Sequence, residues 1–303
     1  MSDYQKIFDS LTELKGRYEL NAPLARYTWL RVGGNADAFF RPKDEADLQY
    51  FLQNCPNDIP ITILGLGSNV LIRDGGIRGI VIRLRGQFSY IEHHNDMIVA
   101  GAGTPDLRIA KYAAQLGLDG FAFLSGIPGN LGGALKMNAG AFGREIQDLF
   151  ISARAIDRNG WVHEISFEHM GFSYRHTQIP NDWIFLSATM KASGRNSRED
   201  ILAKIQKIQD TRDADQPKGA RTAGSTFANP EGHKVWQLID KVGMRGYKLG
   251  GAQVSEKHCN FLLNTGDATA KDIEDLGELI RQKVKNEFNI ELRWEIRRIG
   301  EHS

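Results

Sequence analysis

With 303 residues, 41% of them hydrophobic and 25% charged, the sequence is long enough for two or three lobes and apolar enough to bury a core. Its 38 basic and 37 acidic residues leave a net charge of +1, which argues against a nucleic-acid binder, and its two cysteines, Cys55 and Cys259, lack zinc-site spacing and exclude a disulfide framework. No stretch approaches the ~20 apolar residues of a membrane span and no secretory signal opens the chain, so a cytoplasmic protein with no nucleic-acid or membrane partner is expected.

Tyr4, Ile7, Phe8 and Leu11 share one helical face behind Ser2 and Asp3, which predicts a capped first helix. A loop follows over residues 21–35. Residues 36–41 read as a strand stopped by Pro42, and Asp44 opens an amphipathic helix through Leu48, Phe51 and Leu52. A short strand, residues 61–64, runs into Gly65-Leu66-Gly67-Ser68-Asn69, after which Val70-Leu71-Ile72 resumes strand character. Residues 79–84 are a further strand, and 90–94 with 97–100 form a hairpin turning at Asn95-Asp96.

Thr104 as cap and Pro105 in the first turn start a helix with Leu107, Ala110, Ala113 and Ala114 on its apolar face. Two consecutive glycine-rich loops fill residues 125–143. A hairpin over 151–156 and 161–165 turns at Asn159-Gly160, a strand covers 184–191, and Ser197 caps a helix carrying Ile201, Ile205 and Ile208. The last third reads as a loop rich in Gly, Thr and Ser, a helix near 235–242 and a strand at 261–263. A long helix with Ile273, Leu276, Ile280 and Val284 then leads to one continuous strand over 290–299. Strand–helix units mixed with hairpins predict α+β lobes and not one doubly wound sheet.

The glycine loops narrow the cofactor. Gly65-Leu66-Gly67 begins like a dinucleotide fingerprint, but a strand follows where that fingerprint requires a helix N-terminus, and no third glycine stands at the right spacing. A tight turn explains it equally well. The stretch Ser125-Gly126-Ile127-Pro128-Gly129-Asn130-Leu131-Gly132-Gly133-Ala134, followed by Asn138-Ala139-Gly140-Ala141, is denser in glycine and too apolar for a linker. Its backbone can approach an anion closely, as pyrophosphate binding needs. There is no Walker sequence and no Gly-x-Ser-x-Gly elbow, which excludes a P-loop ATPase and leaves a serine hydrolase without support.

Taken together, these loops resemble the α+β FAD-binding fold of the vanillyl-alcohol-oxidase type. Within it the chain, over about residues 31–300, is similar to the UDP-N-acetylenolpyruvoylglucosamine reductase family. The resemblance implies an N-terminal helix and lead-in (1–30), an FAD-binding domain (31–195, in lobes of about 31–88 and 89–195) and a C-terminal substrate-binding domain (196–303). It implies FAD held by Gly65, Gly67, Ser68, Asn69, Ser125, Gly126, Ile127, Pro128, Gly129, Gly132, Gly133, Asn138, Gly140 and Ala141, noncovalently because no histidine lies in these loops.

On residue type alone, Ser225 is a loop serine that caps a turn, Arg175 a solvated charge, and Glu295 one of the polar positions alternating with Leu292, Trp294 and Ile296. The resemblance makes Ser225 a proton donor, Arg175 the partner of the substrate's developing negative charge and Glu295 a catalytic carboxylate, with Asn229 and His258 as further substrate contacts. It implies NADPH as reductant, UDP-N-acetylglucosamine enolpyruvate as substrate and a monomer. No tyrosine lies between Arg175 and Ser225, so the chain resembles the family's shorter subgroup, which lacks a tyrosine-bearing insertion. His93 and His94 point to opposite faces of a strand, and His163 and His169 lack a ligand cluster, so no metal is expected. A flavin oxidase on the same fold and a non-catalytic sugar-nucleotide binder remain the competing classes.

Overall fold

The computed structural model describes residues 3–303, so the cap expected from Ser2 falls outside the described residues. The chain forms two compact units assembled from alternating segments. The first takes the chain up to Leu20, Ala38–Gly65 and Gly79–Arg212; the second takes Asn21–Asp37, Leu66–Arg78 and Asp213–Ser303. Each has its own apolar core.

In the first unit an antiparallel five-stranded sheet runs in the order Val162–Ser166, Phe150–Ile156, Ile184–Lys191, Met97–Gly101 and Ile91–His94. The two strands of each expected hairpin are neighbours within it, and Asn95 takes the left-handed conformation (φ 54°) that the first turn needs. The helix Asp106–Gln115 buries Ile109, Ala110, Ala113 and Ala114, while Leu107 is only half-buried. Asp44 accepts a hydrogen bond from Asp47 N and caps Glu45–Asn54, as expected. That helix packs Phe51 against Phe40, with ring centroids 4.6 Å apart. Burying a ring of this size stabilises by about 1.5–3 kcal/mol.

The second unit is built on the helix Ala270–Phe288, whose buried Ile273, Leu276, Ile280 and Val284 follow the helical period of the sequence. Thr269 and Asp272 close a capping box at its start, and Asn289 ends it in the left-handed conformation. Its core also takes in the antiparallel strands Lys248–Leu249, Ala252–Val254 and Leu262–Asn264. Val70–Ile72 pairs in parallel with Arg297–Ile299, which bears out the strand after Gly65–Asn69.

Four local expectations are corrected. Thr104 does not cap its helix, because its hydroxyl donates to Tyr90 O at 2.9 Å and Pro105 occupies the cap position. The glycine stretch is not loop throughout: Leu131–Lys136 is a helix. Residues 21–35 are not all loop, since Arg17–Pro23 is a strand. The final strand is broken into Arg293–Trp294 and Arg297–Ile299, because Glu295 N and Ile296 N both turn to Thr226 O, at 2.8 and 3.4 Å.

Candidate active site

The first unit carries the dense glycine segments. Leu131 N donates to Thr104 O, Gly132 N to Ala102 O and Asp106 N to Gly129 O, so residues 129–132 lie directly on residues 102–106. The approach is close: a Cβ on Gly129 would stand 3.0 Å from Asp106 Oδ2, and one on Gly65 only 2.5 Å from Asn130 Oδ1, so a larger residue at 65 would displace the Asn130 side chain. Ser125 is buried and its hydroxyl donates to Ala122 O at 2.7 Å, so that side chain stabilises its own turn. Gly126, Ile127, Pro128 and Gly129 remain half-buried and Gly133 exposed, which leaves this backbone reachable by a ligand.

Arg175 follows these loops in space. It sits at φ 57° in a tight turn closed by Ser173 and His176. Its Nη2 donates to Gly140 O at 3.1 Å, and its Nη1 reaches Glu145 Oε1 at 3.4 Å and Asn138 O at 3.5 Å. Asn138 is fully buried, and its amide donates to Glu145 Oε2 and Ser173 O and accepts from Gln147 N. The expected cofactor residues Asn138, Gly140 and Ala141 and the expected substrate residue Arg175 thus form one hydrogen-bonded cluster, with the strand Gly140–Ala141 paired to Arg144–Glu145.

The second unit holds Gly67, Ser68, Asn69, Ser225, Asn229, His258 and Glu295. Ser225 and Glu295 are brought together by backbone. Thr226, next to Ser225, accepts from Glu295 N at 2.8 Å and donates through its own N–H to Asn260 O at 2.7 Å. The buried Asn260 amide clamps Phe227, accepting from its N–H at 3.0 Å and donating to its carbonyl at 2.8 Å. Asn69 Nδ2 donates to Glu295 O at 3.2 Å, and Asn69 O accepts from Arg297 N, so the Gly67–Asn69 turn is tied to the same break in the final strand.

Asn229 is exposed, and its Oδ1 accepts from Val235 N at the start of the helix Val235–Lys241. His258 stacks edge-on to Phe261, and its Nδ1 accepts from Asn260 N; burial holds its pKa below the ordinary histidine value, favouring the neutral form. Among the described residues, no group of three or more His, Cys, Asp and Glu side chains could hold a metal, and no helix is long and apolar enough to cross a membrane.

Several contributors were not singled out in the sequence. Glu145 holds Arg175, Asn260 clamps the serine loop, and Gly277 makes room for Trp294, whose Cη2 would stand 2.2 Å from a Cβ there. Asp106 lies under Gly129 with no exposed surface and no hydrogen-bond partner for either carboxyl oxygen. The stretch His258-Cys259-Asn260-Phe261 was the signal available for Asn260, and a lone glycine in a helical pattern the one available for Gly277. A backbone pared to glycine, close enough to touch a buried orphan carboxyl, fits a pyrophosphate-bearing cofactor in the first unit.

Comparison with known proteins shows the family. Residues 36–166 match the FAD binding domain model, and residues 216–299 match the model of the UDP-N-acetylenolpyruvoylglucosamine reductase C-terminal domain. The chain is 55% identical over 293 residues to UDP-N-acetylenolpyruvoylglucosamine reductase of Paramagnetospirillum magneticum, covering 96% of this chain and 95% of the relative. It is 53% identical over 291 residues to the Azorhizobium caulinodans protein of the same name, covering 96% and 94%. The crystal structure of UDP-N-acetylenolpyruvylglucosamine reductase from Thermus caldophilus aligns with a TM-score of 0.80 at 33% identity, over 94% of this chain and 99% of that one. The expected α+β class, an FAD-binding domain followed by a C-terminal reductase domain, is borne out. The chain belongs to the UDP-N-acetylenolpyruvoylglucosamine reductase family of FAD-binding oxidoreductases.

Proposed function

We propose that the protein binds FAD noncovalently and uses NADPH to reduce UDP-N-acetylglucosamine enolpyruvate to UDP-N-acetylmuramate, a peptidoglycan precursor. It is proposed to do so as a cytoplasmic monomer; the two buried, unbridged cysteines support a reducing compartment. The observation that carries the reading is the bond from Glu295 N to Thr226 O, which joins the Ser225 loop and the glutamate from opposite ends of the segment Asp213–Ser303. Neither a flavin oxidase nor a passive sugar-nucleotide binder needs that pairing.

The chemistry supplied by the bound flavin is hydride transfer, from NADPH to the terminal carbon of the enolpyruvyl group. Negative charge then develops through the adjacent carbon onto the substrate carboxylate. Arg175 is assigned to that charge, because a guanidinium keeps its own charge and can grip a carboxylate with two parallel hydrogen bonds. Glu295 is assigned to help stabilise the same charge, and Ser225 to give its hydroxyl proton to the adjacent carbon. Asn229 and His258 are assigned to hold the substrate, the latter as a neutral imidazole.

The test is the visible spectrum of the purified protein without oxygen. Flavin bleached by NADPH and restored by the enolpyruvyl UDP-sugar supports the reading. Flavin restored only by oxygen makes the protein an oxidase, and a colourless protein that takes up no FAD leaves a binding protein.

A further inference from the structure

Asp106 is the one carboxyl among the described residues that is wholly buried with neither oxygen hydrogen-bonded. It opens the ten-residue helix Asp106–Gln115, where amide N–H groups commonly pair with a side-chain oxygen, yet it makes no such bond. Instead it sits directly beneath Gly129, whose carbonyl accepts from Asp106 N at 3.1 Å and whose Cα would set a Cβ 3.0 Å from Oδ2. The surrounding segments offer it no salt bridge. Residues 101–105 and 126–131 carry no ionisable side chain; on the helices, Arg108 donates to Ser89 O and Lys136 to the carbonyls of Ile179 and Pro180, while Lys111 is exposed.

We propose that Asp106 is a cofactor-positioning residue that acts as a neutral carboxylic acid, keeping an O–H donor in reserve beneath the glycine loop for the pyrophosphate of FAD. The inference rests on the FAD reading above. A buried polar group left unsatisfied is destabilising, and a leucine of similar size would pack there without that cost. The donor therefore makes sense only where something arrives to accept from it. Phosphate oxygens accept hydrogen bonds and do not donate, so a carboxylate at this place would repel them while a carboxylic acid would hold them. Burial alone pushes the Asp106 carboxyl well above the ordinary aspartate range, in the direction that favours the protonated form. No step of hydride or proton transfer to substrate passes through it.

The experiment is an FAD titration of flavin-stripped protein, read by quenching of flavin fluorescence, from acid to alkaline pH within the range where circular dichroism shows the fold intact. Wild type, Asp106→Asn and Asp106→Leu are compared. Asparagine keeps a neutral donor, so its affinity stays within a few-fold of wild type at low pH and shows no loss where wild type weakens, by up to tenfold per pH unit, as Asp106 ionises. Leucine loses tenfold or more in FAD affinity at low pH, with the gap to wild type closing as Asp106 ionises, while its Tm is equal to or above that of wild type. Equal affinity in the leucine variant at low pH, or parallel pH profiles for wild type and asparagine, overturns the assignment and leaves FAD binding intact. Wild-type protein that takes up no FAD at any pH overturns both readings.

Discussion

Arg175 Nη1 lies 3.4 Å from Glu145 Oε1, and the same carboxylate accepts from Asn138 Nδ2 at 2.9 Å through its other oxygen. The guanidinium is held by the wall of the second glycine segment before any substrate arrives. Preorganisation of this kind is what lets a charge act on a transition state without first being oriented.

Arg175→Lys keeps the charge but not the fork that spans Glu145 and Gly140 O. Reoxidation of the bound flavin by the enolpyruvyl substrate should slow by about 3 kcal/mol, roughly a hundredfold. FAD content should be unchanged. Stopped-flow absorbance measures both half-reactions, and an equal fall in flavin reduction by NADPH would contradict the role given to Arg175.

Ser225→Ala and Asn260→Leu separate chemistry from architecture. Removing the serine hydroxyl should leave Tm and flavin reduction intact and cut the second half-reaction by about a hundredfold or more. Replacing Asn260 strands the Phe227 N–H and carbonyl in a buried setting and should cost about 2–3 kcal/mol of stability. Calorimetry and single-turnover kinetics on the two variants should therefore give opposite patterns.

Gly277 faces the indole of Trp294, so even a methyl group there must displace the ring. Gly277→Ala should be destabilising by about 1–3 kcal/mol despite alanine's better helix propensity. Trp294 Nε1 donates to Glu278 Oε1 at 2.8 Å and precedes Glu295 in sequence. A shift in tryptophan emission together with slower turnover is expected, and a Tm at or above wild type would refute the packing argument.

Glu274 is almost buried between Arg73, at 2.9 Å from both carboxylate oxygens, and Arg298, also at 2.9 Å. The hydrogen bond from Arg73 is the main reason that its carboxyl is held below the usual glutamate value. Its stabilising contribution is therefore complete above the unfolded pKa of about 4.3 and disappears as pH falls through the lower folded value. Glu274→Gln should lower stability by about 1.5–3 kcal/mol at neutral pH. The Tm gap to wild type should close on acidification below roughly pH 4.3, whereas a gap independent of pH would exclude the ion pair as its source.

Much of this site could be read from residue order. Val70-Leu71-Ile72 is β-branched and apolar enough to announce a strand after Gly65–Asn69, and the structure pairs it with Arg297–Ile299. What escaped was decided by partners far away in sequence. Thr104 has the chemistry of a helix cap, but Tyr90 O competes for its hydroxyl. Gly132 and Gly133 disfavour a helix by propensity, yet Gly132 N is anchored to Ala102 O and the helix Leu131–Lys136 forms on that contact. Alternation through Leu292, Trp294 and Ile296 suggested an unbroken strand. Thr226 O drawing both Glu295 N and Ile296 N breaks it at the glutamate, as a bulge re-aims a side chain.

The alternating assignment of the chain to its two units bears on how this protein can be dissected. Three segments build each unit, so the polypeptide passes from one to the other five times, at Leu20, Asp37, Gly65, Arg78 and Arg212. No gene fragment cut at one point encodes either unit without segments of the other. Ending a fragment at Arg212 strips the second unit of its largest segment yet leaves Asn21–Asp37 and Leu66–Arg78, with Leu30, Val32 and Leu71, bereft of the core they were made to fill. Expressed halves should therefore be insoluble alone, and complementation between them should require both to be present while they fold.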